Sequence, residues 1–356
     1  MTDTTHQLVD AFDARVRRRG ERRDFFKAVL GATAVGVGAF AFASEAAAQA
    51  VTDADILNFA LNLEYLEAQF YAYAFTGAAG TFGVTGTGTQ GGVDTGGTAP
   101  PRAVNFTGEP LIRQYAREIA ADEAAHVQFL RTALGGAAVA QPRINISGGL
   151  NADGTPGAFT LAARAAGIAT SDGTLAGTPS ATGTFDPYAS PDAFLLGSFI
   201  FEDVGVTAYK GGSPLITNNT FLDAAAGILA TEAFHAGIIR GSLYARGVNT
   251  PALRTATDRI SDARDTVDGT AAQAGPPQLF ADDDQGVSPV QTSLTVASGT
   301  TTATASNFVP TDSNGITFSR TTGQVLNIVY LTRSSVTLGG FFPAGANGTI
   351  RTSTAN

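Results

Sequence analysis

Along residues 53–75 the apolar positions Ile56, Phe59, Ala60, Leu63, Phe70 and Ala74 recur at helical spacing, and Thr52 or Asp53 supplies a cap in front of them. The same periodicity returns in 109–134 through Leu111, Ile112, Tyr115, Ile119, Ala120, Val127, Phe129 and Leu130. Glu109-Pro110 opens that stretch and Gly135-Gly136 stops it. Ser190-Pro191-Asp192 starts a third helix over 191–210, whose run Phe194–Phe201 is nearly all apolar and which Gly211-Gly212 ends. A fourth spans 220–246 with Leu222, Ala226, Leu229, Phe234, Ile238, Ile239 and Leu243, closed by Gly247. The pattern predicts a mainly α protein built on four long helices within residues 51–250.

Between these helices the chain is rich in Gly and Thr. Residues 76–107 contain Pro100-Pro101 and read as a long surface loop. Residues 137–190, with a short helix near Phe159–Ala166, read as a long crossover that brings the third helix in parallel to the second. Residues 251–356 form a mixed, partly irregular C-terminal extension. Within it, a helix is expected from Thr250-Pro251 to Val267 and a hairpin over Thr292–Thr304. The acidic run Asp282–Asp284 reads as solvated rather than cation-binding. Thr321–Leu331 fits a short helix or a strand.

Residues 1–50 stand apart. Arg22-Arg23-Asp24-Phe25-Phe26-Lys27 precedes the apolar run Ala28–Ala43, and Ala48-Gln49-Ala50 offers a small-residue cleavage site. This resembles a twin-arginine export signal, with Glu21 where Ser or Thr is usual. The resemblance implies export of a folded protein to the periplasm or beyond, with no membrane span after cleavage.

Charge narrows the function. Of 22 basic and 31 acidic groups, residues 1–50 hold seven and six, which leaves 15 and 25, a net −10. Such a balance argues against a nucleic-acid partner, which needs a basic footprint. The absence of Cys excludes disulfides and thiolate chemistry.

The candidate chemistry lies in two Glu-x-x-His steps, Glu123–His126 and Glu232–His235, each on a helical pattern. Positions i and i+3 share a helix face, so a carboxylate and an imidazole reach one point. Past residue 50 there are two His and seven Glu; chance would put a Glu three residues before both His with probability on the order of 0.0005. Glu64 and Glu67 enter the first helix three apart. Glu64 is preferred because Tyr71 follows seven residues on, as Tyr209 follows Glu202; Glu67 stays open as an alternative ligand or outer neighbour. Tyr71 and Tyr209 read as packing residues, or as hydrogen-bond partners of a ligand. Glu118 reads as solvated; Asp122 reads as solvated or as a hydrogen-bond partner just outside the ligands. Glu202, embedded in an apolar run, needs a partner or a proton there.

The order Glu; Glu-x-x-His; Glu; Glu-x-x-His on four helices, with a crossover after the second, resembles the ferritin-like di-metal carboxylate family. More narrowly, Leu63-Glu64-Tyr65-Leu66-Glu67-Ala68-Gln69-Phe70-Tyr71 and the tail from Arg320-Thr321-Thr322-Gly323-Gln324 through Gly339-Gly340-Phe341-Phe342-Pro343 resemble exported ferritin-like proteins related to plant desiccation-related proteins. The resemblance implies a ferritin-like four-helix bundle, favours the helix at 321–331, and implies the ligands Glu64, Glu123, His126, Glu202, Glu232 and His235. It also implies two iron or manganese ions. Glu123 and Glu232 are expected to bridge them, with Glu64 and Glu202 terminal. Oxidase, peroxidase or catalase-type oxidant defence, with oxygen or peroxide as partner, is the leading expectation. The alternative is a non-catalytic, stress- or desiccation-related protein whose metal site is structural, sequestering or vestigial. A homo-oligomer is compatible with either.

Overall fold

The computed structural model describes residues 51–175, 177–269 and 284–356. The expected export leader lies outside them, as do Asp282 and Asp283. Seven helices and one two-stranded sheet occur among the described residues: α1 (Asp53–Thr76), α2 (Pro110–Leu134), α3 (Ala158–Ala165), α4 (Pro191–Gly212), α5 (Asn219–Arg246), α6 (Pro251–Asp268), strands β1 (Val290–Val296) and β2 (Gly299–Ala305), and α7 (Thr322–Tyr330).

The helix ends follow from their caps. Thr52 and Asp55 form a reciprocal capping box at the start of α1, and Gly77, at φ +78°, stops it in a left-handed turn. Ser190 accepts from the Ala193 amide ahead of α4, and Asn218 from Thr220 and Phe221 ahead of α5. A second box, Thr321 with Gln324, resolves the ambiguous tail segment as a helix.

α1, α2, α4 and α5 form the bundle. The guanidinium of Arg113, near the start of α2, lies over the Phe75 ring at the end of α1, 5.0 Å from its centroid. Arg246 at the end of α5 binds Asp192 at the start of α4, and also Glu109 at 3.0 Å. Both sequence-adjacent pairs are therefore antiparallel. Contacts from Tyr71 to Glu202 and from Tyr209 to Glu64 make α1 antiparallel to α4, so α2 and α4 run parallel across the diagonal. α1 and α4 are sheathed almost completely, whereas α2 and α5 each keep an outer face.

The Gly/Thr-rich connections hold no regular strands, yet they are bridged to each other, with Thr87 opposite Val139, Val93 opposite Ile144 and Ala99 opposite Gly148. Their glycine content has a steric cause. A Cβ at Gly86 would sit 2.3 Å from the Ala138 carbonyl oxygen, and one at Gly91 2.3 Å from the Arg143 nitrogen. The loops lie backbone to backbone where no side chain fits.

The C-terminal extension is joined to the bundle by buried charge. Arg240 of α5 uses all five of its donors: one on Asp203 of α4 at 2.7 Å, and the others on the carbonyls of Gln285, Gly286, Asn307 and Phe308. Arg264 of α6 reaches Asp203 at 3.1 Å and Asp284 at 2.5 Å, and Arg320 reaches Asp284 at 3.0 Å and Asp268 at 2.7 Å. The solvated reading of the acidic run is thus corrected at Asp284, which is buried between two arginines. The sequence alone did not reveal that two distant arginines would close over it.

Candidate metal centre

The bundle interior brings six groups together midway along the four helices. Glu64, Glu123, His126 and Glu232 offer ligand atoms all within 4.8 Å of one another, and so do Glu123, Glu202, Glu232 and His235. The groups share Glu123 and Glu232. Two adjacent points with two common carboxylates are the layout of a bridged pair of ions. Local sequence explains each placement: one helical turn puts Glu123 beside His126 and Glu232 beside His235, while antiparallel packing lays Glu64 and Glu202 across from them.

The donors fit metal better than they fit one another. Both oxygens of Glu123, both of Glu232, Oε2 of Glu202 and Nδ1 of His235 are buried with no hydrogen-bond partner. His235 Nδ1 lies 3.0 Å from Glu123 Oε1, close but misaligned for a hydrogen bond. Lone pairs converge on a common point there. Burial pushes the carboxyls of Glu123 and Glu232 up to about 8, with repulsion from neighbouring carboxylates adding to it, and it raises Glu202 well above the ordinary range. Burial alone would lower the imidazole of His126, but the three carboxylates Glu64, Glu123 and Glu232 hold it well above its ordinary value, Glu64 foremost at 3.1 Å. Divalent cations would relieve all of these strains at once. Carboxylate oxygen with imidazole nitrogen suits iron or manganese.

Around the six stand groups that orient them. Tyr71 donates to Glu202 and Tyr209 to Glu64, so each tyrosine crosses from one helix pair to a carboxylate of the other. The packing reading is incomplete for both, since a buried phenol also needs an acceptor and finds one in a carboxylate. Asp122 combines its two readings, half in solvent and bonded to a ligand. Its Oδ2 lies 3.2 Å from His235 Nε2, which leaves Nδ1 as the lone-pair face toward Glu123 and Glu202. The signal for it was available: in an antiparallel pair where 126 meets 232, residue 122 falls opposite 235. Glu118 stays exposed.

Glu67 is buried but belongs to neither ligand group. Desolvation foremost, and four nearby carboxylates, raise it well above the usual range. It lines a small apolar void with Leu63, Leu66, Ile200, Phe201 and Gly205. The centre reaches solvent at the seam of α2 and α5, where the His126 side chain is 11% exposed and Asp122 is 44% exposed.

A model of the ferritin-like domain matches residues 52–245. The chain is 29% identical over 303 residues to "Ferritin-like catalase Nec2" of Nesocodon mauritianus, covering 84% of each chain. It is 28% identical over 198 residues to "Desiccation-related protein PCC13-62" of Craterostigma plantagineum, covering 56% of this chain and 55% of that one.

Proposed function

The chain belongs to the ferritin-like domain family, and on that premise we propose that it is an exported protein holding two iron or manganese ions and consuming peroxide in oxidant defence. The observation that carries this reading is the pair of overlapping ligand groups sharing Glu123 and Glu232. Similarity to a ferritin-like catalase supports the peroxide chemistry, and Arg22-Arg23 ahead of an apolar run supports export.

Held by these six residues, such ions would supply two-electron redox chemistry toward peroxide. The protein's own residues supply position and protons. Glu64 and His126 hold one point, Glu202 and His235 the other, and Glu123 and Glu232 span both. Tyr71 and Tyr209 fix the rotamers of Glu202 and Glu64 by donating to one oxygen of each; the second oxygen of Glu202 is left without a partner, and that of Glu64 meets His126 Nδ1. Asp122 fixes the ring orientation of His235. His126, at the seam between α2 and α5, is the most exposed of the six groups, and the surrounding apolar side chains keep bulk water out.

A second reading is favoured by one specific observation. Five of the six groups are at most 2% exposed, and the chain is similar to a desiccation-related protein. Such closure suits a site that stabilises the bundle without turnover. Metal analysis of protein purified from its native host, followed by peroxide- and oxygen-consumption assays, separates the two. Two bound ions with rapid peroxide loss supports catalysis; two ions without turnover gives the protective reading; no bound metal overturns both.

A further inference from the structure

Helix α4 carries a buried glycine, Gly205, in its interior, three residues beyond Glu202. Glycine is the poorest helix former after proline, so a glycine buried mid-helix calls for a steric reason. Here the space a side chain would need is already taken. A Cβ on Gly205 would lie 2.5 Å from Oε2 of Glu232, 3.2 Å from its Cδ and 3.6 Å from its Cγ, and these are its three nearest atoms. None of the three belongs to the backbone of a neighbouring helix. The other glycine inside α4, Gly197, is different in kind, since its Cβ would meet Pro187, Phe70 and Phe159 at 3.0 to 3.4 Å, which is core packing.

Glu232 is one of the two carboxylates common to both ligand groups. Its Oε1 stands 3.5 Å from Nδ1 of His126, while Oε2 is turned to the bare backbone of α4 at Gly205. The carboxylate is thus seated between an imidazole and a helix that has no side chain at that point. We propose that Gly205 is a positioning residue of the metal centre, whose missing side chain is the seat of the Glu232 carboxylate. This rests on the six groups holding metal and not on peroxide turnover.

A methyl group at 205 has two ways to fit. It can part α4 from α5, or it can push back the tip of Glu232. Close-packed helices resist the first, and a side-chain tip yields to the second at little cost. Withdrawal of Oε2 from 2.5 Å to the 3.4 Å of ordinary contact moves it by 0.9 Å. Ligand groups have to be held within about 0.5 Å of their working geometry. The fold therefore tolerates that movement, and the metal site does not.

Titration calorimetry of the metal-free full chain with manganese tests this. Gly205→Ala should weaken binding by at least about 10-fold, the loss that follows when a ligand's support is removed. Its metal-free form should unfold at the same temperature as the wild type or a few degrees higher, because alanine favours a helix. In a Glu232→Asp background the shortened carboxylate no longer meets the methyl group, so adding Gly205→Ala should change affinity by less than about 2-fold. Gly227→Ala on α5, where a Cβ meets nothing within 4 Å, should leave binding unchanged. A crystal structure of metal-free Gly205→Ala should show the Glu232 carboxylate displaced with both helix backbones in place, and this reading stands whether or not the wild type binds metal. Wild-type affinity in Gly205→Ala overturns the proposal. So does a lower unfolding temperature, an equal loss in the Glu232→Asp background, or helices that part around an unmoved carboxylate.

Discussion

Helices α1 and α2 carry Glu64, Tyr71, Glu123 and His126; α4 and α5 carry Glu202, Tyr209, Glu232 and His235 at the same local spacings. The halves then diverge one residue away from these groups. After Glu64 comes Tyr65, which accepts from the half-exposed Arg131; after Glu202 comes Asp203, which accepts from the buried Arg240. Both arginines stand five residues beyond their histidine. Three residues beyond the first-half glutamate is the buried Glu67; the equivalent position in the second half is Gly205, where a Cβ would meet Glu232 Oε2 at 2.5 Å. The ligand geometry tolerates no difference between halves, whereas its supports are free to differ. The second half has used that freedom to attach the C-terminal extension.

The sharpest test of the equivalence is Glu123→Gln beside Glu232→Gln. Each removes a carboxylate common to both ligand groups, so each should cut bound metal from two ions per chain to one or none, and peroxide turnover by more than about 100-fold. Metal analysis checks it; a large loss in only one variant would break the symmetry. Next in size is the contrast between supports. Arg240→Ala strips a fully buried ion pair and should cost about 3–5 kcal/mol in denaturant unfolding, while Arg131→Ala, half in solvent, should cost about 1 kcal/mol. Equal costs would show that the extension is not anchored through Arg240.

A smaller effect separates the histidines. Asp122→Ala should weaken metal affinity by about 10-fold, as loss of an orienting acceptor does. Titration with manganese, followed calorimetrically, reads it. A last test is one of pH. In metal-free protein the raised carboxyls of Glu123 and Glu232 favour the folded state fully below about pH 4.5 and lose that contribution as pH climbs to about 8. Thermal unfolding of the metal-free form should therefore fall in temperature across that window, and added metal, which displaces those protons, should flatten the slope.

The helices were legible because their apolar periods and caps are local: Thr52, Pro110, Ser190 and Gly135 act on their own neighbours. The glutamate–histidine steps were legible for the same reason. Groups supplied by another helix were harder to read. Asp122 was read chiefly as solvated, and Tyr71 and Tyr209 chiefly as packing residues, because each meets its partner only across the bundle. Arg240 stands alone among Ile238, Ile239 and Gly241, and a lone cation in an apolar run is itself a sign of a buried counter-charge. Asp284 lay in a run whose composition resembles solvated acid, and its burial depended on Arg264 and Arg320 arriving from elsewhere. The glycine-rich connections were read as plain loops because backbone-to-backbone approach leaves no hydrophobic trace.

The crossed tyrosines bear on ancestry. Each phenol is seated on the opposite helix pair's glutamate, so neither pair completes its own half of the centre. A polypeptide of half this length, meeting its twin about an axis through the midpoint, would make both crossings at once. Duplication and fusion of such a precursor would then leave each half free to drift everywhere except at those shared points.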